Sequence, residues 1–388
     1  MTTATLPRPP RTEPSVAASP RLIRTVLALA PPGLLATGQL YLGIPLVPAV
    51  AADWNVPTAA AMSALTTFGL GYAAGVLVFG LLVDRLGARR VMTCGLLIAA
   101  LATAAVALAP NLTAGYVLRG LQGLAVGAFP PAAFAYVGAT IPLPRKGLVL
   151  SCLTGGFLAA GGVAQLAGQG VLAVADWRTA FVGGAVLMAV AAVVARLTLR
   201  PDALRPGEPR ARLRITGRLL GLYAAAFTLL VGFVTVYTGL QLSDAVAPGT
   251  LPWLRLSAVP AVVIVPFLIG RLRVAPARRA AAGLGTVAAV VGALAPADAS
   301  APTVVLAVLL FLMVLGIAIV APSLAEAVGT ESGRARAFGA GIFNASLLIG
   351  ASVAAPVATA LNGQSTSVAA AAVVTVLGAA VALSASRK

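Results

Sequence analysis

The sequence predicts an all-α polytopic membrane protein, with twelve transmembrane helices arranged as two pseudo-symmetric six-helix bundles. The 388-residue chain is 60% hydrophobic and 10% charged, with a mean hydropathy of +0.99. Soluble domains carry about 25% charged residues, so a soluble fold is disfavoured. Apolar runs of about 20 residues, which suffice to cross a bilayer as a helix, fill most of the chain.

The apolar runs define the spans in order. The first 20 residues, rich in Pro, Thr and Ser, predict a disordered N-terminal tail. A bundle over 21–198 is expected to hold spans near 24–50, 57–82, 91–109, 112–140, 147–173 and 177–197. A polar central loop over 199–217 separates it from a second bundle over 218–388. The spans of the second bundle are expected near 219–240, 251–270, 280–295, 302–325, 337–361 and 366–385.

The placement of basic residues supports this count and predicts the orientation. All of them except Arg119, Arg178 and Arg255 fall in one alternate set of segments, which includes both termini. Basic loops are retained in the cytoplasm, so both termini are predicted to be cytoplasmic in a protein of the cytoplasmic membrane. The loop arginines also account for the net charge of +17 without a nucleic-acid partner.

The two halves resemble each other weakly. Pro131, Val137 and Gly138 recur as Pro322, Val328 and Gly329, each 191 residues later. Paired six-span halves predict a substrate site at their interface near the bilayer midplane, reached by alternating access.

Several absences argue against an enzyme. Histidine is missing, and Cys94 and Cys152 lie in apolar runs without metal or redox spacing. Neither of the two lysines follows a glycine-rich phosphate-binding loop. We therefore expect no catalytic residue, cofactor or metal, and a monomer in the lipid bilayer that handles a small molecule.

Two motifs carry a family resemblance. Residues 80–90, GLLVDRLGARR, resemble the loop between spans 2 and 3 of the major facilitator superfamily, with Ala88 where a basic residue is usual. RGLQG, Arg119–Gly123, resembles the span 4 motif of the proton-coupled drug-efflux subgroup. LGIPLVP, GGFLAAGGVAQLAG and DWRTAF are weaker matches to other motifs of the superfamily. The chain thus resembles the bacterial drug or metabolite:proton antiporters.

The loop motif is predicted to form a conformational latch. Its residues are Gly80, Asp84, Arg85, Gly87 and Arg89. The arginines alone would set the orientation, so Asp84 calls for another explanation. The resemblance implies that Asp84 accepts hydrogen bonds at the start of span 11, near Phe338, and pairs with arginine to stabilise an outward-open state. The alternative is a plain orientation signal.

Six polar residues in the spans are candidates for substrate binding or proton coupling: Gln39, Tyr41, Arg119, Gln122, Arg255 and Asn344. Arg119 lies about 10 Å along span 4, where a charge requires a partner or a cavity. The alternative to a role in transport is a structural hydrogen bond to a backbone carbonyl. Gln122 follows on the same helix face. For each buried amide, helix–helix contact is the alternative. Arg255 is expected either to extend towards the membrane surface or to meet Asp244.

The acidic residues limit the function. Glu326 is predicted to pair with Arg278 or Arg279 as an inner gate, and no other acid lies inside a predicted span except near its end. A cationic substrate is therefore disfavoured, and a neutral, zwitterionic or anionic organic solute is favoured. The first hypothesis is proton-coupled efflux; the others are an uncoupled facilitator or importer and a non-transporting membrane sensor.

Overall fold

The computed structural model describes residues 20–201, 213–242, 250, 254, 259–269, 274–294, 302–360, 374–379 and 381–382. The predicted N-terminal tail up to residue 19, the central loop over 202–212 and the candidate Arg255 lie outside these residues. The described residues are helical apart from turns and short connections.

Residues 20–201 form seven helices that make six spans. They are α1 (Pro20–Asp53), α2 (Thr58–Leu86), α3 (Ala88–Ala107), α4 (Leu112–Val126), α5 (Phe129–Thr140), α6 (Leu143–Leu172) and α7 (Trp177–Thr198). The sequence predicted a continuous fourth span, but α4 and α5 are separated by a turn at Gly127 and Ala128. Pro130 and Pro131 lack the N–H groups that would continue the hydrogen-bond ladder across this turn.

The second half repeats this arrangement. Its described helices are α8 (Gly217–Leu242), α9 (Val259–Ile269), α10 (Pro276–Leu294), α11 (Thr303–Glu331) and α12 (Arg336–Ala360). Helical residues at 374–379 and 381–382 fall in the predicted twelfth span. Within the described part of the chain, nine helices are long and apolar enough to cross a membrane. The fold is therefore the predicted all-helical arrangement of twelve spans in two bundles.

The turn between α2 and α3 consists of one residue. Gly87 has φ 87° and ψ 146°, a backbone conformation that side-chain-bearing residues rarely adopt. Arg89, in the first turn of α3, donates a hydrogen bond to the carbonyl of Arg196 near the end of α7. We call this side of the molecule, where the α5–α6 turn and the start of α12 also lie, the arginine-rich end.

Spans 2 and 4 pack unusually closely. A side chain at Gly123 of α4 would collide with the carbonyl of Phe68 on α2, and one at Gly71 would collide with the carbonyl of Gly120. The missing side chains let the two backbones meet, as is common for membrane helices. This contact brings the ring of Phe68 against the face of α4 that carries Arg119.

The two bundles meet through apolar side chains. Gly341 of α12 lies against Val76 and Gly80 of α2, and the rings of Phe134 and Phe343 make an edge contact with centroids 6.0 Å apart. Leu158 of α6 packs against a small cluster on α9 and α11. Gly80, one of the predicted latch residues, is thus part of the contact between the bundles.

Candidate functional site

A network of buried polar side chains lies inside the first bundle and centres on Arg119 of α4. Arg119 is 3% exposed. Its Nη1 donates to Gln122 Oε1 at 2.6 Å and to the backbone carbonyl of Gln39 at 3.2 Å. Three of the six predicted polar candidates therefore meet at one place, and the three-residue spacing of Arg119 and Gln122 gives the expected contact.

Gln122 connects this network to a third helix. Its Nε2 donates to Gln39 Oε1 at 3.1 Å and to Thr103 Oγ1 at 2.8 Å, and the Thr103 hydroxyl donates to the carbonyl of Ala99 at 2.6 Å. Thr103 of α3 was not among the predicted candidates. A lone threonine in an apolar run carries no pattern that distinguishes it from a residue bonded only to its own helix.

In the part of the chain that the structure describes, aromatic rings and no carboxylate surround the charge of Arg119. The guanidinium carbon of Arg119 lies 4.4 Å from the ring centroid of Phe68 and 5.5 Å from that of Phe181. Among the described residues, no Asp or Glu forms an ion pair with Arg119. Its buried Nη2 has no hydrogen-bond partner there and points towards Gly43, where a Cβ would lie 3.2 Å from it. Among the described residues, the network therefore carries a positive charge without a counter-charge and has one donor group without a partner.

The other predicted polar candidates lie elsewhere. Tyr41 of α1 lies beside Gly161 of α6. Asn344 of α12 is buried, but its amide donates to the carbonyl of Ala340 in its own helix at 3.0 Å. Neither side chain takes part in the hydrogen bonds of the Arg119 network.

At the arginine-rich end, the predicted acid–base pair is present. Arg279 of α10 and Glu326 of α11 form an ion pair of 2.5 Å, with side chains 8% and 15% exposed. Arg278, the alternative partner, is exposed and pairs with no described carboxylate. Both members of the pair belong to the second bundle, so the pair alone does not join the two bundles.

A hydrogen bond that the sequence analysis missed does join them. Arg336 of α12 donates through Nη1 to the carbonyl of Gly138 in α5 at 2.9 Å, and Lys146 of α6 donates to the same oxygen at 3.2 Å. Residue 142 is proline, so it cannot supply the N–H that normally bonds the carbonyl four residues earlier. The free carbonyl at a helix C-terminus attracts cations. IPLPRK, Ile141–Lys146, was a usable signal for this site.

Asp84 lies outside this set of contacts. It is exposed and makes no hydrogen bond or ion pair with a described residue, and neither does Arg85. Among the side chains that the structure describes, Asp84 therefore has no arginine partner and no hydrogen bond to the start of α12 in this conformation. The loop touches the second bundle through Gly80, which has no side chain to hold the helices apart.

The opposite end of the first bundle is tied internally. Arg178 pairs with Asp53 at 2.9 Å and stacks on Trp177, 4.4 Å from its centroid. Trp54 meets Trp177 edge-on at 5.5 Å. Asp176 caps α7 through the Thr179 N–H at 2.8 Å, and the hydrogen bonds from the Thr179 backbone and hydroxyl lower the pKa of this carboxyl.

Comparison with known proteins places this architecture in a family. The sequence profile of the Major Facilitator Superfamily matches residues 33–329, so the chain belongs to that superfamily. It is a multi-pass membrane protein of a transporter superfamily, which is not a family of enzymes.

Individual relatives are distant. An uncharacterised MFS-type transporter of Mycobacterium tuberculosis is 28% identical over 61% of this chain, and the match spans 35% of that protein. The niacin transporter of Acinetobacter baylyi is 34% identical over 34% of this chain and 30% of its own length. The crystal structure of the Escherichia coli fucose:proton symporter superposes with a TM-score of 0.74 at 17% identity and covers 95% of this chain and 100% of the symporter.

Proposed function

We propose that this transporter exports a small organic anion or zwitterion across the cytoplasmic membrane in exchange for protons, by alternating access between its two bundles. In this proposal both termini and the arginine-rich end face the cytoplasm, in keeping with the charge bias of the loops. The observation that carries the proposal is the buried Arg119 guanidinium, which has no carboxylate partner among the described residues.

An uncompensated buried charge favours an anionic ligand. Burying a cation costs several kcal/mol unless it is paired, and cation–π contacts and hydrogen bonds to neutral groups recover only part of that cost. A carboxylate accepts charge-assisted hydrogen bonds from a guanidinium, and Arg119 Nη2 has no partner among the described residues. The niacin transporter related to this chain handles a small aromatic carboxylate, which fits the same chemistry.

Access to Arg119 would require movement of α1. Gly43 of α1 covers the Nη2 atom of Arg119. Pro45 lies two residues further on inside the same helix. Proline removes one helical hydrogen bond and clashes with the preceding turn, so this part of α1 bends more easily than its neighbours. Bending of α1 at Gly43 would expose the guanidinium and leave the Gln122–Thr103 hydrogen bond, which does not involve α1, in place.

The proposal assigns proton coupling to the arginine-rich end. The Arg279–Glu326 pair is the coupling element in this proposal, because it is the buried ion pair described near the bundle interface. Glu326 also acts electrostatically on Lys146 of the first bundle, so a change at this pair would be felt on both sides of the bundle interface. The latch role of Asp84 belongs to the same proposal, in a conformation other than the one described.

A transport assay tests the proposal. The purified chain is reconstituted in liposomes, a pH gradient is imposed, and uptake of labelled nicotinate, a quaternary amine and a neutral sugar is measured. We expect gradient-driven flux of the carboxylate that a protonophore abolishes, and little flux of the amine. Flux of the amine alone would contradict an anionic substrate.

An uncoupled facilitator is the second candidate. Every described carboxylate lies near a helix end, so no acid is placed beside Arg119 to carry a proton through the bundle. Carboxylate flux that ignores the pH gradient would select this function. No flux for a broad panel of solutes would instead favour a membrane sensor.

A further inference from the structure

A cationic cavity lies at the arginine-rich end, away from the Arg119 network. The start of α3 and the end of α7 enclose about 210 Å³. Arg89, Arg90 and Arg196 line it together with Leu86 and Gly87, and no carboxylate among the described residues does so. Arg89 is already tied to α7 through the Arg196 carbonyl, which fixes the two helix ends around the cavity.

The helix start adds to the positive potential of this cavity. α3 has no acidic residue in its first turn, and no side chain caps its N-terminus at Gly87. The first N–H groups of a helix lack intrahelical acceptors and carry the positive end of the helix dipole. Arginine side chains and a helix N-terminus are together the usual components of a phosphate site.

The helices that form the cavity are apolar on their outer surfaces. Leu97 and Leu101 of α3 are exposed, the latter by 67%, as are Val193 and Leu197 of α7, the latter by 78%. In a protein that crosses the membrane repeatedly, such surfaces contact lipid chains. Arg90 and Arg196 are themselves exposed, so the cavity lies where the apolar surface of both helices gives way to charge.

We propose that this cavity binds the phosphate of an anionic phospholipid, whose acyl chains lie along the exposed faces of α3 and α7. Free phosphate shares the headgroup chemistry but would gain nothing from the apolar surface above the cavity. Juxtamembrane arginines are known to attract anionic headgroups, and their long side chains reach the membrane surface. The site is separate from the proposed substrate network and does not depend on it.

Lipid retention tests this proposal. The full chain is purified with mixed phosphatidylglycerol and phosphatidylcholine, and the lipids that remain bound after detergent washing are counted by native mass spectrometry. We expect selective retention of phosphatidylglycerol by the natural protein. The double variant Arg90→Gln and Arg196→Gln should lose it by about tenfold, because each charge near the surface contributes to headgroup binding. The variant with lysine at both positions should keep most of it.

The control variant Arg21→Gln and Arg24→Gln removes two exposed charges from the start of α1 at the same end. It should retain phosphatidylglycerol as the natural protein does. Equal loss in both double variants would show general surface attraction and overturn the proposal. Displacement of the lipid by millimolar inorganic phosphate would also overturn it, since the site would then take the free anion. A photoactivatable phosphatidylglycerol should label α3 and α7 in the natural protein, and labelling elsewhere would contradict the placement.

Discussion

Among the described residues each bundle buries one arginine, and the two differ in their surroundings. Arg279 of the second bundle meets the Glu326 carboxylate at 2.5 Å near the arginine-rich end. Arg119 of the first bundle is held by the Gln122 amide, the Gln39 carbonyl and two aromatic rings, and its Nη2 has no partner among the described residues. A paired arginine has its electrostatic partner built in, whereas an unpaired one can still gain from a ligand.

The internal repeat sharpens the contrast. The shift of 191 residues that superposes Pro131 on Pro322 superposes Arg119 on Leu310 and Gln122 on Met313. Both of these apolar residues are completely buried in the core of the second bundle. Apolar packing is therefore sufficient at this level of the fold. The polar network in the first bundle is not needed to fill space, which favours a role in function.

The largest effect is expected from Arg119→Leu, which makes the first bundle resemble the second. Carboxylate flux should fall by about 100-fold, because a buried charge-assisted contact is worth several kcal/mol. Thermal stability should be unchanged or higher, since apolar residues often replace buried charges without loss. Flux in liposomes and the melting temperature measure the two outcomes. If the variant loses stability and keeps transport, the Arg119 network has a structural role and not a role in transport.

Breaking the paired arginine should reduce stability, which Arg119→Leu should not do. Glu326→Gln leaves Arg279 buried without a counter-charge and should destabilise the protein by about 2 kcal/mol in thermal denaturation. Replacing both residues together, Arg279→Met with Glu326→Leu, should restore most of that loss. Arg218→Gln breaks a more exposed pair with Glu331 and should cost less than about 1 kcal/mol. Equal losses from the buried and exposed pairs would contradict this account.

A smaller effect is expected at the contact between the bundles. Arg336→Gln removes the charge that binds the Gly138 carbonyl and should raise the population open at this end by about fivefold, given roughly 1 kcal/mol for an exposed charge-assisted bond. Spin labels at Thr140 and Arg278, with Cys94 and Cys152 replaced, report the separation. Pro142→Ala offers the carbonyl a backbone N–H and should shift the population in the same direction. If neither variant changes the population, the hydrogen bond between Arg336 and the Gly138 carbonyl does not control opening at this end.

The smallest effect should come from Asp176, at the opposite end. Its pKa is lowered in the folded state by hydrogen bonds from Thr179. Its contribution to stability is therefore complete above the unfolded pKa of about 3.9 and is lost as the pH falls through the lower folded value. At neutral pH, Asp176→Asn should change transport little. The stability of the Asp176→Asn variant should fall less steeply with falling pH in this range than that of the natural protein. An unchanged acid-denaturation curve would show that the Asp176 cap does not cause this pH dependence.

The sequence predicted the site only in part, and the division has a physical basis. Arg119 and Gln122 could be paired because residues three apart share a helix face. Gln39 of α1 and Thr103 of α3 join them through contacts between different helices, which no spacing within one helix predicts. Asp84 was expected to bond across the bundles, but the described contact is made by Gly80 and by Arg336, a residue read only as an orientation signal.

Composition and charge placement determined the membrane class, the number of spans and the two-bundle fold, because burial in lipid demands long apolar helices whatever their partners. The same reasoning placed the charge of Arg119 deep in span 4. It also predicted that Glu326 pairs with an arginine of a basic loop. Tertiary structure alone decided that the deep charge has no acidic partner among the described residues, and that a carbonyl freed by Pro142 binds the other bundle. Such pairings depend on the distance between helices far apart in the chain, and one sequence does not encode that distance locally.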